Sequence, residues 1–156
     1  MMWKRRIEPI ARPALKAHAR LTRGMTLGVR GMVFDEAGQV LLIQHTYVRG
    51  WHLPGGGVER HETAEEALAR ELVEEAGVEI AGAPALLGVY SNIATFRGDH
   101  VLVYRIDDWR ACAQTSRGEI HAIDWFAPDA LPDGVTEGTQ RRIDEALGRR
   151  KPQPHW

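Results

Sequence analysis

The chain has 156 residues, 44% of them apolar and 26% charged, which places it among globular domains that bury roughly two-thirds of their unfolded surface and excludes wholesale disorder. Its formal charge of −1 conceals a dipole: residues 1–30 carry eight basic side chains and one acid, or +7, and the remainder twelve basic and twenty acidic, or −8. No apolar run approaches the roughly 20 residues of a membrane span and the start lacks the apolar core of a secretory signal, while the lone Cys112 can form neither an internal disulfide nor a thiolate zinc site, so a reducing cytoplasm is expected.

Residues 1–25 read as a basic, partly helical extension. Ile7, Ile10, Ala11, Leu15 and Ala19 follow helical spacing over 7–22, but Pro9 and Pro13 interrupt it. The main domain is expected over 26–150, with 151–156 a C-terminal tail. Strand-like patterns run over 26–34 and 40–46, and Asp35-Glu36-Ala37-Gly38 between them reads as a hairpin turn. Further strands are expected at 85–92, 100–106 and 120–126, with helices at 64–76 and 137–149. This order predicts an α/β domain with a mixed sheet covered by helices.

The chemistry concentrates between Gly55 and Val78. Thr63 followed by Glu66 forms a capping box, so a helix starts there, and Gly77 ends it. At 100° per residue Glu71 and Glu75 stack one turn apart with Glu74 beside them, while Leu68, Leu72 and Ala76 form a neighbouring apolar stripe. Arg70 projects from roughly the opposite side to Glu75, which leaves the acids uncompensated within the helix. In a cleft of effective dielectric about 20, carboxylates about 5.5 Å apart repel by roughly 3 kcal/mol. A cation is expected there, and oxygen-only donors select Mg²⁺, with Mn²⁺ as a substitute. Mg²⁺ completes its shell with water and phosphate, so a diphosphate substrate follows.

The segment fits a longer pattern: Gly56, five residues, Glu62, seven residues, then Arg70-Glu71-Leu72-Val73-Glu74-Glu75-Ala76-Gly77-Val78. This is the signature box of the Nudix hydrolases, which the chain resembles over nearly all of 26–150. The resemblance implies an α/β/α sandwich in which the box forms a loop-helix-loop unit. It makes Glu71 and Glu75 the main metal ligands, Glu74 a further one, and the Gly55 carbonyl a candidate to complete the shell. It makes Gly56, Glu62 and Arg70 supports of the site, the last two through a salt bridge. The implied reaction is water attack on phosphorus in a nucleoside diphosphate linked to a moiety X. The general base is a box glutamate, Glu71 or Glu74, or an acid on a later loop, for which Glu119 is the candidate, although Glu119 also suits a plain strand start. His100 and His121 are as readily packed or surface residues as acid-base groups.

Tyr47, Arg49, Trp51 and His52 precede the glycine loop and suit stacking on a base or contact with phosphate; Trp51 equally suits core packing. The substrate is a small nucleotide diphosphate on this reading, with no membrane partner and a homodimer left open. Two alternatives remain: an RNA 5′-end pyrophosphohydrolase, since the basic N-terminus would attract a polyanion, and a non-catalytic Nudix ligand sensor.

Overall fold

A computed structural model describes residues 24–116 and 118–156. The helical pattern expected within 7–22 lies outside the described residues. Among the described residues there are seven strands: β1 (Thr26–Val33), β2 (Val40–His45), β3 (Val78–Ile80), β4 (Ala85–Ser91), β5 (Asp99–Ile106), β6 (Trp109–Ala111) and β7 (Ile120–Phe126). Helix α1 (Ala64–Glu71) continues into a π-helical turn, Leu72–Ala76, and α2 (Glu137–Ala146) comes near the end. Strands β3 and β6 are three residues each, too short to leave a period-2 pattern in the sequence.

The expected hairpin between the first two strands does not form a ladder. Its turn exists, with the Gly38 N–H donating to the Asp35 carbonyl at 3.0 Å, but among the described residues the pairing goes no further than a bridge between Phe34 and Val40. Strand β1 pairs in parallel with β5, which pairs antiparallel with β4, while β2 pairs antiparallel with β7. The reason is burial on both faces. Val40, Leu41, Leu42 and Ile43 are all within 2% of complete burial, and so continuous an apolar run belongs inside a sandwich rather than at the rim of a hairpin.

Side chains alternate between two cores. Val29, Val33, Leu41, Tyr104 and Ile106 face Ala67, Leu68 and Leu72 of the α1 segment, whereas Met32, Val40, Leu42, Val101 and Val103 face Ile143 of α2. Because strand side chains alternate, one helix covers each face, giving the α/β/α arrangement. Burying Leu68 and Leu72 contributes about 1.5–3 kcal/mol each, which anchors the acid-bearing helix to the strands.

The segment 52–58 joins the two strand systems. Ile43 and His52 exchange backbone hydrogen bonds of 2.9 Å, and further along Gly31 N–H donates to Pro54 O (2.8 Å), Val29 N–H to Gly56 O (2.9 Å) and Val58 N–H to Leu27 O (2.8 Å). The glycine loop is thus stitched to the edge of β1. At Gly55 φ is +139° and a Cβ would stand 2.1 Å from the Val29 carbonyl oxygen, so only glycine fits. Residues 151–156 lie on the domain: Ser91 N–H donates to Pro154 O at 2.8 Å, and Trp156 N–H to Ser91 O at 3.0 Å.

Candidate active site

The capping box forms as the sequence requires, with Thr63 Oγ1 accepting from the Glu66 N–H at 3.2 Å and Glu66 Oε2 accepting from the Thr63 N–H at 2.7 Å. Gly77 closes the helix in the left-handed conformation, φ 63°. Between them the helix departs from the single α-helix expected over 64–76, because residues 72–76 form a π turn. Such turns widen the helix and re-aim the side chains they carry.

Across that turn the three acids occupy different surroundings. Glu75 is 6% exposed; its Oε2 accepts from the Gly55 N–H at 2.8 Å, and its Oε1 lies 3.8 Å from His45 Nδ1. Burial pushes its carboxyl up to about 7, opposed by the Gly55 N–H and Arg30 and reinforced by Glu71 and Glu119. Glu71 Oε1 accepts from Arg70 Nη1 at 2.7 Å, and Glu74 stands at the rim 3.7 Å from the same nitrogen. Arg70 therefore does reach the acids, contrary to the expectation that it points away. Its long stem lets one guanidinium span Glu62, at 2.9 Å, the Gly57 carbonyl, at 3.1 Å, and two glutamates; the direction of its Cα alone misses this.

These residues face a cleft of about 440 Å³ lined also by Arg30, His45, Tyr47, Val48, His52, Gly56, Glu59 and Glu119. Tyr47, His52 and Glu119 thus meet the box acids as the sequence suggested. Glu119 is exposed and accepts from the Ser116 hydroxyl at 3.2 Å. Arg49 lines a neighbouring hollow instead. Trp51 turns into the core, its ring edge-on to Phe126 at 4.8 Å, so the structure places it in packing rather than in the cleft.

Arg30 and His45 are cleft residues that escaped the sequence reading. Arg30, the single charge in the strand TLGVRGMV, donates through Nη1 to the Leu53 carbonyl at 3.3 Å and to the Gly55 carbonyl. A lone arginine inside an apolar strand was the available signal, since such a residue is rarely buried without a partner. His45 ends β2 with Nδ1 buried and lacking a hydrogen-bond partner. Burial holds both His45 and His52 below the ordinary imidazole range, with Arg30 adding to the effect.

A larger groove of about 680 Å³ runs between Asp35–Ala37 and Asp107–Trp109, but the convergent acids, bases and glycine backbone lie in the smaller cleft, and chemistry decides between them. Among the described residues no group of three or more His, Cys, Asp or Glu side chains converges closely enough to hold a metal ion by itself. An open wall of carboxylate and carbonyl oxygens, one of the acids buried, suits a hard divalent ion that keeps waters and phosphate in its shell.

The NUDIX domain model matches residues 24–147. The chain belongs to the Nudix hydrolase family. A MutT-like protein of Streptomyces ambofaciens is 36% identical over 122 residues, covering 78% of this chain and 77% of its own length. A Bacillus subtilis (strain 168) protein provisionally named 8-oxo-dGTP diphosphatase is 33% identical over 120 residues, covering 77% and 78%. The crystal structure of the MutT NUDIX hydrolase from Burkholderia pseudomallei superposes with a TM-score of 0.67 at 27% identity, covering 78% of this chain and 97% of that one. This Nudix hydrolase is an enzyme acting on phosphorus anhydrides. No helix among its described residues is long and apolar enough to cross a membrane.

Proposed function

We propose that this Nudix hydrolase cleaves a nucleoside diphosphate linked to a moiety X by water attack on phosphorus, with purine nucleoside triphosphates as the first substrates to try. The observation that carries the reading is the cleft itself, where the acids Glu71, Glu74 and Glu75 meet Arg30, His45 and His52. The name of the Bacillus relative supports the choice of substrate.

Glu71, Glu75 and Glu74 would hold Mg²⁺, or Mn²⁺ in its place, and the bound ion supplies charge neutralisation of the diphosphate and a lowered pKa for water. Arg30 offers a planar fork suited to a phosphate. Tyr47, 70% exposed at the mouth, presents a ring on which a base can stack. Glu119, which lines the same cleft, would take the proton of the attacking water and pass it to solvent; Glu71 and Glu74 are the alternatives. Glu62 and Arg70 hold the loop to the helix. A reducing cytoplasm suits the free thiol of Cys112.

The decisive experiment is a panel of nucleotide diphosphates and triphosphates, with and without Mg²⁺, in wild type and Glu75→Gln. Metal-dependent turnover lost in the variant is expected. Turnover that survives both changes overturns the mechanism, and selective hydrolysis of triphosphorylated RNA that needs residues 1–22 would redirect the reading to RNA ends.

A further inference from the structure

Side chains of opposite charge hold the Gly55 peptide at its two ends. Its N–H donates to Glu75 Oε2 at 2.8 Å, and its carbonyl accepts from Arg30 Nη1, which also reaches the Leu53 carbonyl at 3.3 Å. Gly55 itself is pinned, since β1 stands directly behind its Cα. The position of the guanidinium is therefore set by backbone; burial lowers its pKa, and Glu75 and Glu71 are the principal charges that oppose that. Arg30 occupies a carbonyl oxygen of the kind a hard cation uses. A divalent ion among the box glutamates would stand beside it, in the field of the same acids, and like charges in a poorly solvated cleft repel strongly.

We propose that Arg30 is the resident counter-cation of the glutamate cleft, a positioning residue whose displacement by a divalent ion couples metal binding to diphosphate binding. This rests on the reading of Glu71, Glu74 and Glu75 as the metal site. In the free protein the guanidinium shares the cleft with the buried Glu75 and covers the Gly55 oxygen, while Arg70 pairs with Glu71 and Glu74. A metal entering alone must work against that charge. When a diphosphate enters too, its negative charge offsets the added positive charge and its paired oxygens receive the displaced fork. Metal and diphosphate then bind cooperatively, each strengthening the other by the same factor.

The test is Mn²⁺ binding to the metal-free full chain, read from the electron paramagnetic resonance of the free ion, with and without methylenediphosphonate and corrected for the ion bound by the diphosphonate in solution. In wild type the diphosphonate should tighten Mn²⁺ by about tenfold. Arg30→Met should bind Mn²⁺ alone about tenfold more tightly than wild type and lose most of the coupling. Arg30→Lys, which keeps the charge, should stay near wild type in Mn²⁺ affinity. A merely bracing role predicts the opposite sign, because a loosened Gly55 and Glu75 would weaken Mn²⁺; that result, or unchanged affinity, overturns the proposal. Circular dichroism checks folding, and Arg30→Gln, with the same expectation as Met, replaces a variant that does not fold. Equal Mn²⁺ binding by wild type and Glu75→Gln would instead remove the metal-site reading on which the proposal stands.

Discussion

The Glu71 carboxylate lies against the Cα of Gly56, so closely that a Cβ there would stand 2.4 Å from Oε1. The box glycine is thus a seat for the carboxylate rather than a flexible joint. Gly56→Ala should leave the fold intact, since the obstructed atoms are the far end of a flexible side chain, but it must displace Glu71. Displacement of about 1 Å is enough to cost on the order of 10²-fold in kcat/KM. Parallel melting curves and kinetics check this, and wild-type turnover in the variant would show that the position of Glu71 is not critical.

The buried Glu75 makes stability depend on pH with a definite sign. Its folded value of about 7 lies above the ordinary glutamate value of 4.5, so between the two the folded chain binds the extra proton. Stability supplied by this group falls as pH rises through that window, by up to about 3 kcal/mol once it is complete. His45 and His52, held low, act in the other direction by disfavouring the folded state as pH drops below the ordinary imidazole value. The difference between wild type and Glu75→Gln isolates the carboxyl. In a metal chelator that difference should grow in the variant's favour from pH 5 to pH 8, and Mg²⁺ should reverse the trend in wild type alone. Melting at several pH values reads both arms.

The salt bridge of Arg70 with Glu62 is a matter of geometry more than of stability. Both side chains are partly exposed, at 29% and 17%, and such pairs contribute only about 0–1 kcal/mol. Yet the same guanidinium fixes Glu71 and the Gly57 carbonyl. Glu62→Gln should therefore shift the melting temperature by only a few degrees, and Arg70→Ala should lower kcat/KM by about tenfold or more through the freed Glu71. A large loss of stability in Glu62→Gln would contradict this division.

What the sequence discloses follows the range over which each signal acts. The capping box, the left-handed Gly77 and the acid stripe are fixed by neighbours a few residues apart, and these are legible. The box pattern carried the family as well. Most of the failures are matters of tertiary reach. The Asp35–Gly38 turn looks like a hairpin turn because a turn's sequence does not reveal whether its two strands pair or part. Arg30 reads as one more charge of a basic stretch until β1 is set beside the glycine loop 24 or more residues away. Trp51 could have been a stacking platform or core, and only its meeting with Phe126 decides. The π turn has no local sequence mark.

The C-terminal residues look like a tail in the sequence, but the second core depends on them. Arg142 is 1% exposed; its guanidinium lies 3.9 Å from the Tyr90 ring centroid, donates to the His155 carbonyl at 3.0 Å and pairs with Glu145 at 2.8 Å. Trp156 packs in the same cluster, edge-on to Tyr90 at 6.2 Å. Ending the chain after Arg150 would strip the carbonyl partner and the ring from a buried charge. The expected loss is on the order of 3 kcal/mol, or a fall in melting temperature of roughly 10 °C. Trp156→Phe keeps a ring in place and should recover most of that loss. Calorimetry on the truncated and substituted chains checks both, and an unchanged melting temperature after truncation would reduce residues 151–156 to a surface ornament.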